Sequence, residues 1–246
     1  MNLESSAEKE PTPKKRIAVL IGGGSRLPAI FNYTNDTKNN CEISVVVSHK
    51  KESPKIPWAI EKGIPAVKFN RVQMQNTLHK TLAEYQKEYE EGLAAFLQQS
   101  DYRPSLVVMA GWDLVMQNDF LEKFTDLGKN YARVINLHPA LLPDDNSDTY
   151  TTSDGTVIPA FRGVECIKQA FDNKSPYSGC TVHFATTTYD VGPVILRREV
   201  KIDPSEDLET LEERVHQQED SALVEAIDFC LNKTFLVENN RIVLSK

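Results

Sequence analysis

Arg16-Ile17-Ala18-Val19-Leu20-Ile21-Gly22-Gly23-Gly24-Ser25, leading into Leu27 to Tyr33, is the stretch that decides the fold. Five consecutive apolar residues, Ile17 to Ile21, suit a strand buried on both faces, and such strands belong to parallel sheets covered by helices. The glycines then permit a tight turn, and Leu27 to Tyr33 suits the start of a helix. Strand, glycine turn and helix together open an α/β unit.

The alternation continues down the chain. Ile43 to Val47 reads as a buried strand, Pro57 to Lys62 as a helix stopped by Gly63, and Val67 to Phe69 as a short strand. Asn76 to Gln99 carries Leu78, Leu82, Tyr85, Tyr89, Leu93 and Phe96 at three- and four-residue spacing, the pattern of an amphipathic helix. Leu106 to Met109 and Val134 to Leu137 are further strands. Cys180 to Phe184 and Val194 to Val200 read as a hairpin-like addition, Leu208 to Leu231 as a long terminal helix, and Arg241 to Leu244 as a last strand. The expected fold is α/β: a Rossmann-like, mostly parallel twisted sheet with helices on both faces, forming one domain over 16–246. Residues 1–15, polar and carrying Pro11 and Pro13, are expected to be a disordered tail. The run Asp144 to Thr156, rich in Asp, Ser and Thr, is expected to be an inserted surface loop of about 144–158.

A net charge of -7 over 246 residues argues against nucleic acid as a main partner, because phosphate binding at that scale needs a basic footprint. Cys41, Cys166, Cys180 and Cys230 are widely spaced and form no C-x-x-C pair, so they read as reduced thiols of a cytoplasmic protein. No apolar run is long enough for a signal peptide or a membrane span.

The glycine turn is not a dinucleotide fingerprint: Leu27 stands where the third glycine belongs, and Ser48-His49-Lys50 offers no acid for a ribose hydroxyl. No Walker spacing and no nucleophile elbow is present. A cradle of N–H groups for an anion remains, with a ligand-free tight turn as its alternative. Further on, Asn136-Leu137-His138-Pro139 ends a strand with an amide and an imidazole two residues apart, hence on one face, a pairing suited to a developing oxyanion, with a strand-end Asn in a turn beside a half-buried His as its alternative. Asp190, before Gly192-Pro193, is a turn residue unless the fold carries it to His138. His183 reads either as a buried strand histidine or as a participant. A metal site from His138, His183 and Asp190 lacks a recognised ligand spacing, and none is expected.

Four segments in order, Gly24-Ser25-Arg26, Met109-Ala110-Gly111-Trp112, Asn136 to Pro143, and Gly179-Cys180-Thr181-Val182-His183-Phe184 leading to Asp190, resemble the phosphoribosylglycinamide formyltransferases, a folate-dependent formyltransferase family. The resemblance runs from about Arg16 to Val243. It implies formyl transfer from 10-formyltetrahydrofolate, as co-substrate, to the amine of 5'-phosphoribosylglycinamide in purine synthesis, with Asn136, His138 and Asp190 as the catalytic set and no metal. In that scheme Asn136 and a protonated His138 stabilise the oxyanion of a tetrahedral intermediate, while Asp190 raises the imidazole pKa and helps move the proton.

The same matching assigns Gly24, Ser25, Arg26, His216 and Glu219 to the substrate phosphate and ribose. It assigns Asp113, Leu114, Val115, Met116, Thr186, Thr187, Thr188, Tyr189 and Asp190 to the folate, with Pro139, Thr181 and His183 in support. Three departures stand out: a glycine loop one residue short with Arg26 in place of Asn, an acid at Asp113 in a stretch that replaces Met-Arg-Ile-Leu, and Gln86 or Lys87 near the place of a helix Arg; the polar run after Pro143 also reads as an insertion. Transfer to another amine, deformylation of the folate, and non-catalytic nucleotide or folate binding are the alternatives. Methionyl-tRNA formyltransferases and deformylases carry an additional domain, for which 246 residues are too few. A monomer or homodimer is expected.

Overall fold

The computed structural model describes residues 12–70 and 82–244, and residues 76–81 of the expected long helix lie outside these. The strands are β1 (Lys15–Ile21), β2 (Cys41–Ser48), β3 (Ala66–Lys68), β4 (Leu106–Ala110), β5 (Val134–His138), β6 (Thr149–Thr151), β7 (Val157–Pro159), β8 (Tyr177–Phe184), β9 (Val194–Lys201), β10 (Phe235–Glu238) and β11 (Arg241–Leu244). The helices are α1 (Leu27–Asn35), α2 (Lys55–Glu61), α3 (Leu82–Leu97), α4 (Asn118–Leu121), α5 (Cys166–Asp172) and α6 (Leu208–Asn232).

Nine strands form one sheet in the order β10-β11-β9-β8-β5-β4-β1-β2-β3. From β3 to β5 the neighbours are all parallel. β8 then pairs antiparallel with β5, and β9 antiparallel with β8. The direction of winding reverses between β1 and β4. Open α/β sheets bind ligands outside the strand carboxyl ends at such a reversal.

Alternation along β1 divides the core. Ile17, Val19 and Ile21 pack with Leu27 and Ile30 of α1, Ile56 of α2, and Ala222, Leu223 and Ala226 of α6. Ala18 and Leu20 face the other way, onto Tyr85, Tyr89, Leu93 and Leu97 of α3. Both layers are buried, as a strand covered on two faces requires.

Three expectations change. β1 begins at Lys15, inside the region read as tail, because the backbone N–H of Lys15 donates to the Asn40 carbonyl; residues 1–11 lie outside the described residues. The run read as a loop contains the antiparallel hairpin β6–β7, with Thr149 opposite Pro159 and Thr151 opposite Val157. Its turn is stabilised by Thr152 Oγ1 donating to Asp154 and by the Thr156 N–H bonding to both of those side chains, an Asx-type closure that offsets the polarity of the run. The strand β10, which the sequence reading did not mark, pairs with β11.

Candidate active site

The antiparallel pairing of β5 with β8 sets Asn136 opposite His183 and His138 opposite Thr181. A carbonyl only accepts, so His183 Nδ1, 2.9 Å from the Phe184 oxygen, must carry the proton. His183 Nε2 is then the bare nitrogen, and Asn136 Nδ2 donates to it across 3.3 Å. Burial pushes the His183 imidazole down to about 4, which keeps it neutral and keeps it an acceptor. His183 thus fixes which way the Asn136 amide faces, a supporting task the sequence left open.

His138 is buried between two acceptors. Its Nε2 lies 2.9 Å from the Phe161 carbonyl and its Nδ1 3.3 Å from Asp190 Oδ1. The carbonyl places a proton on Nε2. A bare Nδ1 would then face a carboxylate oxygen lone pair to lone pair, so the Nδ1–Asp190 pair holds one shared proton, as imidazolium–carboxylate or as imidazole–carboxylic acid. Burial drives the His138 pKa below its usual value, Asp190 and the Phe161 carbonyl pull it up, and Arg162 pushes it down. The net direction is downward. The expectation that Asp190 raises this imidazole describes its own contribution but not the sum, because burial of the ring outweighs it. Cys166 Sγ lies 3.6 Å from Nε2, and burial holds its pKa up at about 12, so it remains a thiol.

Asp190 sits in a turn with φ of +53°, and its Oδ2 accepts from the Gly163 N–H at 3.2 Å. Its Oδ1 is also 3.8 Å from His183 Nε2. Thr181 Oγ1 donates to the Ala140 carbonyl and accepts from the Leu142 N–H, fixing the turn that Pro139 starts. Asn136, His138, Asp190, His183 and Thr181 are therefore together.

Two cavities flank them. One, of about 290 Å³, is lined by Ser25, Arg26, Pro139, Cys166, His216 and Glu219 among others. Gly24 is not on its wall; its φ of +85°, with Lys55 Cβ only 2.7 Å from where a side chain would start, shows why the turn needs glycine there. Arg26 is buried, and its guanidinium pairs with Asp220 at 3.1 Å and Glu219 at 3.5 Å rather than standing free. The reason is the register of α6, whose His216 carbonyl also accepts from Arg26. Burial raises Glu219 to about 7 against the pull of Arg26, and it lowers His216.

The raised Glu219 pKa carries a stability signature. The unfolded carboxyl loses its proton near its ordinary value of about 4.5 while the folded one keeps it to about 7, so Glu219 costs nothing below that window and costs stability as pH rises through it. Glu219→Gln should raise the thermal midpoint by a few degrees at pH 8 and leave it unchanged near pH 4.5. Melting both proteins at the two pH values checks the sign.

The second cavity, of about 30 Å³, is a slot between Trp112, Leu114, Val115 and Met116 on one side and Thr186, Thr188, Tyr189 and Asp190 on the other, with Asn136 and His183 at its floor. Asp113 and Thr187 are not on its wall. The Asp113 carboxylate turns to His49 at 2.8 Å and Lys50 at 3.2 Å, and its main-chain oxygen accepts from Tyr189 Oη across the slot. The slot is far below the roughly 300 Å³ of a ligand-sized pocket, so it must open to admit one. Asn136 Oδ1 and Trp112 Nε1 are buried there without a hydrogen-bond partner among the described residues.

Sequence reasoning missed Phe161, Gly163, Cys166 and Glu90, the last of which accepts from the Gln117 N–H and anchors the end of the 113–116 segment. The first two act through main-chain atoms, which leave no residue signature. Among the described residues no group of three or more His, Cys, Asp or Glu is arranged to hold a metal ion, and no helix is long and apolar enough to cross a membrane.

The formyl transferase family model matches residues 15–145 and 154–227, passing over 146–153, a stretch that includes β6. The chain is 34% identical over 224 residues to a phosphoribosylglycinamide formyltransferase of Dictyostelium discoideum, covering 88% of this chain and 98% of that protein. One of Schizosaccharomyces pombe is 30% identical, with 86% and 94% covered. The crystal structure of glycinamide ribonucleotide transformylase 1 from Symbiobacterium toebii superposes with a TM-score of 0.76 at 27% identity, over 98% of this chain and 100% of that one. With the family model matched over most of its length and a relative 34% identical over 88% of it, this chain belongs to the formyl transferase family.

Proposed function

We propose that the protein transfers the formyl group of 10-formyltetrahydrofolate to the amine of 5'-phosphoribosylglycinamide in purine synthesis, in the cytoplasm. The observation that carries this reading is the convergence of Asn136, His138 and Asp190, with Asn136 and Asp190 on the wall of an apolar slot and Leu137 and Pro139, on either side of His138, on the wall of a polar cavity. The slot, once opened, suits a flat pterin: it has apolar walls and offers the unpaired Trp112 Nε1 and Asn136 Oδ1 for edge hydrogen bonds. The cavity suits a phosphorylated ribose, with Ser25 and Arg26 near the phosphate and Glu219 near the hydroxyls.

In this reading the amine attacks the formyl carbon and the carbonyl oxygen becomes an oxyanion. Asn136 Nδ2, oriented by His183, and the Nδ1 edge of His138 would donate to it. Nε2 is committed to Phe161, so Nδ1 is the working nitrogen, and the proton it shares with Asp190 is the one available to move. The amine's proton passes to the folate nitrogen as the C–N bond to the donor breaks. No covalent enzyme intermediate is needed; alignment of two bound reactants supplies much of the acceleration.

The test is to mix purified protein with 10-formyltetrahydrofolate, with and without the amine, and to follow donor loss and amine formylation together. Donor loss only in the presence of the amine, matched by formylated product, is the expected result. Donor loss without the amine would replace this reading by hydrolysis, and no turnover in either case would replace it by binding alone.

A further inference from the structure

The segment that caps His138 is held by the β6–β7 hairpin, whose first strand the family model passes over. After β5 the chain is pinned to β9 by Arg197, which donates to the Leu142 carbonyl and to Asp144 Oδ1. Two residues along the same strand, hence on the same face, Glu199 holds the hairpin by three bonds. It accepts from Tyr150 Oη at 3.0 Å, the Ser153 N–H at 2.8 Å and Ser153 Oγ at 2.6 Å. Tyr177 Oη adds a bond to Asp154 at 2.6 Å, and the Arg197 guanidinium lies 5.2 Å over the Tyr150 ring.

The hairpin then delivers its exit to the catalytic set. The Ala160 N–H donates to the Asp148 carbonyl at 2.9 Å and Arg162 to the Ser147 carbonyl at 3.0 Å, closing the base. From that base Phe161 presents its carbonyl to His138 Nε2, and Gly163 presents its N–H to Asp190 Oδ2. Both partners of the His138–Asp190 pair are thus oriented by one four-residue stretch, 160–163.

We propose that Glu199, through the β6–β7 hairpin, is a positioning residue for formyl transfer, holding the Phe161 carbonyl on His138 so that Nε2 keeps its proton and Nδ1 faces the reacting atoms. Glu199 touches neither substrate in this arrangement. Its effect reaches the reaction through the protonation and aim of the imidazole, which a merely structural anchor would not alter. The groups facing that imidazole are Asp190, the Phe161 carbonyl, Arg162, Cys166 and, across the strand pair, His183. Of these, Asp190 and the carbonyl favour the charged ring while Arg162 opposes it. Releasing the carbonyl therefore shifts the imidazole further toward the neutral form.

The test compares wild type with Glu199→Ala and the milder Tyr150→Phe, using hydrogen exchange over residues 149–163, the pH dependence of kcat, and both KM values. The expected result for Glu199→Ala is faster exchange in 149–163, kcat lower by about tenfold or more, KM for both substrates within about twofold, and the alkaline limb of the kcat profile moved to lower pH. Tyr150→Phe, keeping two of the three bonds, should move each in the same direction by less. Faster exchange with kcat and the alkaline limb unchanged would overturn the proposal, and unchanged exchange would overturn it by showing that Glu199 does not hold the hairpin. Because the proposal rests on the formyl-transfer reading, the His138 titration is also followed by NMR without substrate. A shift of that titration to lower pH in Glu199→Ala supports the contact even in a protein that transfers nothing, and an unmoved titration rejects it.

Discussion

Asp190→Asn leaves the protein folded and lowers kcat for formyl transfer by about two to three powers of ten. The amide has nearly the volume of the carboxyl, and the Gly163 N–H that now donates to Oδ2 finds the amide oxygen in its place. Folding therefore has little reason to fail. The carboxylate that shares a proton with His138 Nδ1 at 3.3 Å is lost, however, and the buried imidazole loses the strongest group holding it charged. An amide NH₂ turned toward Nδ1 would stabilise the neutral ring with its proton on Nε2, leaving nothing on Nδ1 to donate to the oxyanion. The measurement is kcat beside a melting curve. Turnover within threefold of wild type would remove Asp190 from the chemistry.

Gly192→Ala should cost both activity and stability. A methyl group there would lie 1.7 Å from the Phe184 carbonyl oxygen and 3.1 Å from His183 Nδ1, a separation from backbone that no rotamer relieves. The Phe184 carbonyl is the acceptor that holds the His183 tautomer, and Phe184 N–H bonds back to the Pro193 carbonyl. Relief must come from shifting the turn that carries Asp190 two residues earlier. A displacement of about 1 Å at a reacting group costs on the order of a hundredfold in rate, and the lost pairing should lower the thermal midpoint by several degrees. If kcat per folded molecule survives in this variant, the placement of Asp190 by the 190–193 turn does not matter to turnover.

Much of the architecture was legible because buried parallel strands write themselves as short apolar runs. Ile43 to Val47, Leu106 to Met109 and Val134 to Leu137 each fall within a strand of the sheet, and Arg241 to Leu244 coincides with β11. What escaped depended on turns. Phe235 to Glu238 and Arg241 to Leu244 are joined by Asn239 and Asn240, both left-handed at φ of +49° and +61°, the two-residue hairpin turn that asparagine tolerates. The signal was present but short. The β6–β7 hairpin escaped because its side chains satisfy one another and Glu199, so its polarity mimics that of a loop.

In the site, Asn136 and His138 were legible from their spacing on one strand, and Asp190 from the motif that follows β8. The pairing of Arg26 with Glu219 and Asp220 was not, since it depends on how α6 is rotated against the glycine turn about 190 residues earlier in the chain. Nor was the pairing of Asp113 with His49 and Lys50, which joins the ends of β2 and β4, separated in sequence by α2, β3 and α3.

The pairing of Asn136 with His183 and of His138 with Thr181 across β5 and β8 also constrains how such a chain can vary. Side chains in a strand alternate with a period of two, so adding or losing one residue within either strand would turn every site residue beyond that point to the opposite face. Parity, more than identity at any one position, is what this ladder requires. Between the two strands, where the chain leaves the sheet for residues 149–159, length is free to change without inverting anything. Residues added there end up beside the stretch 160–163 that faces the His138 imidazole.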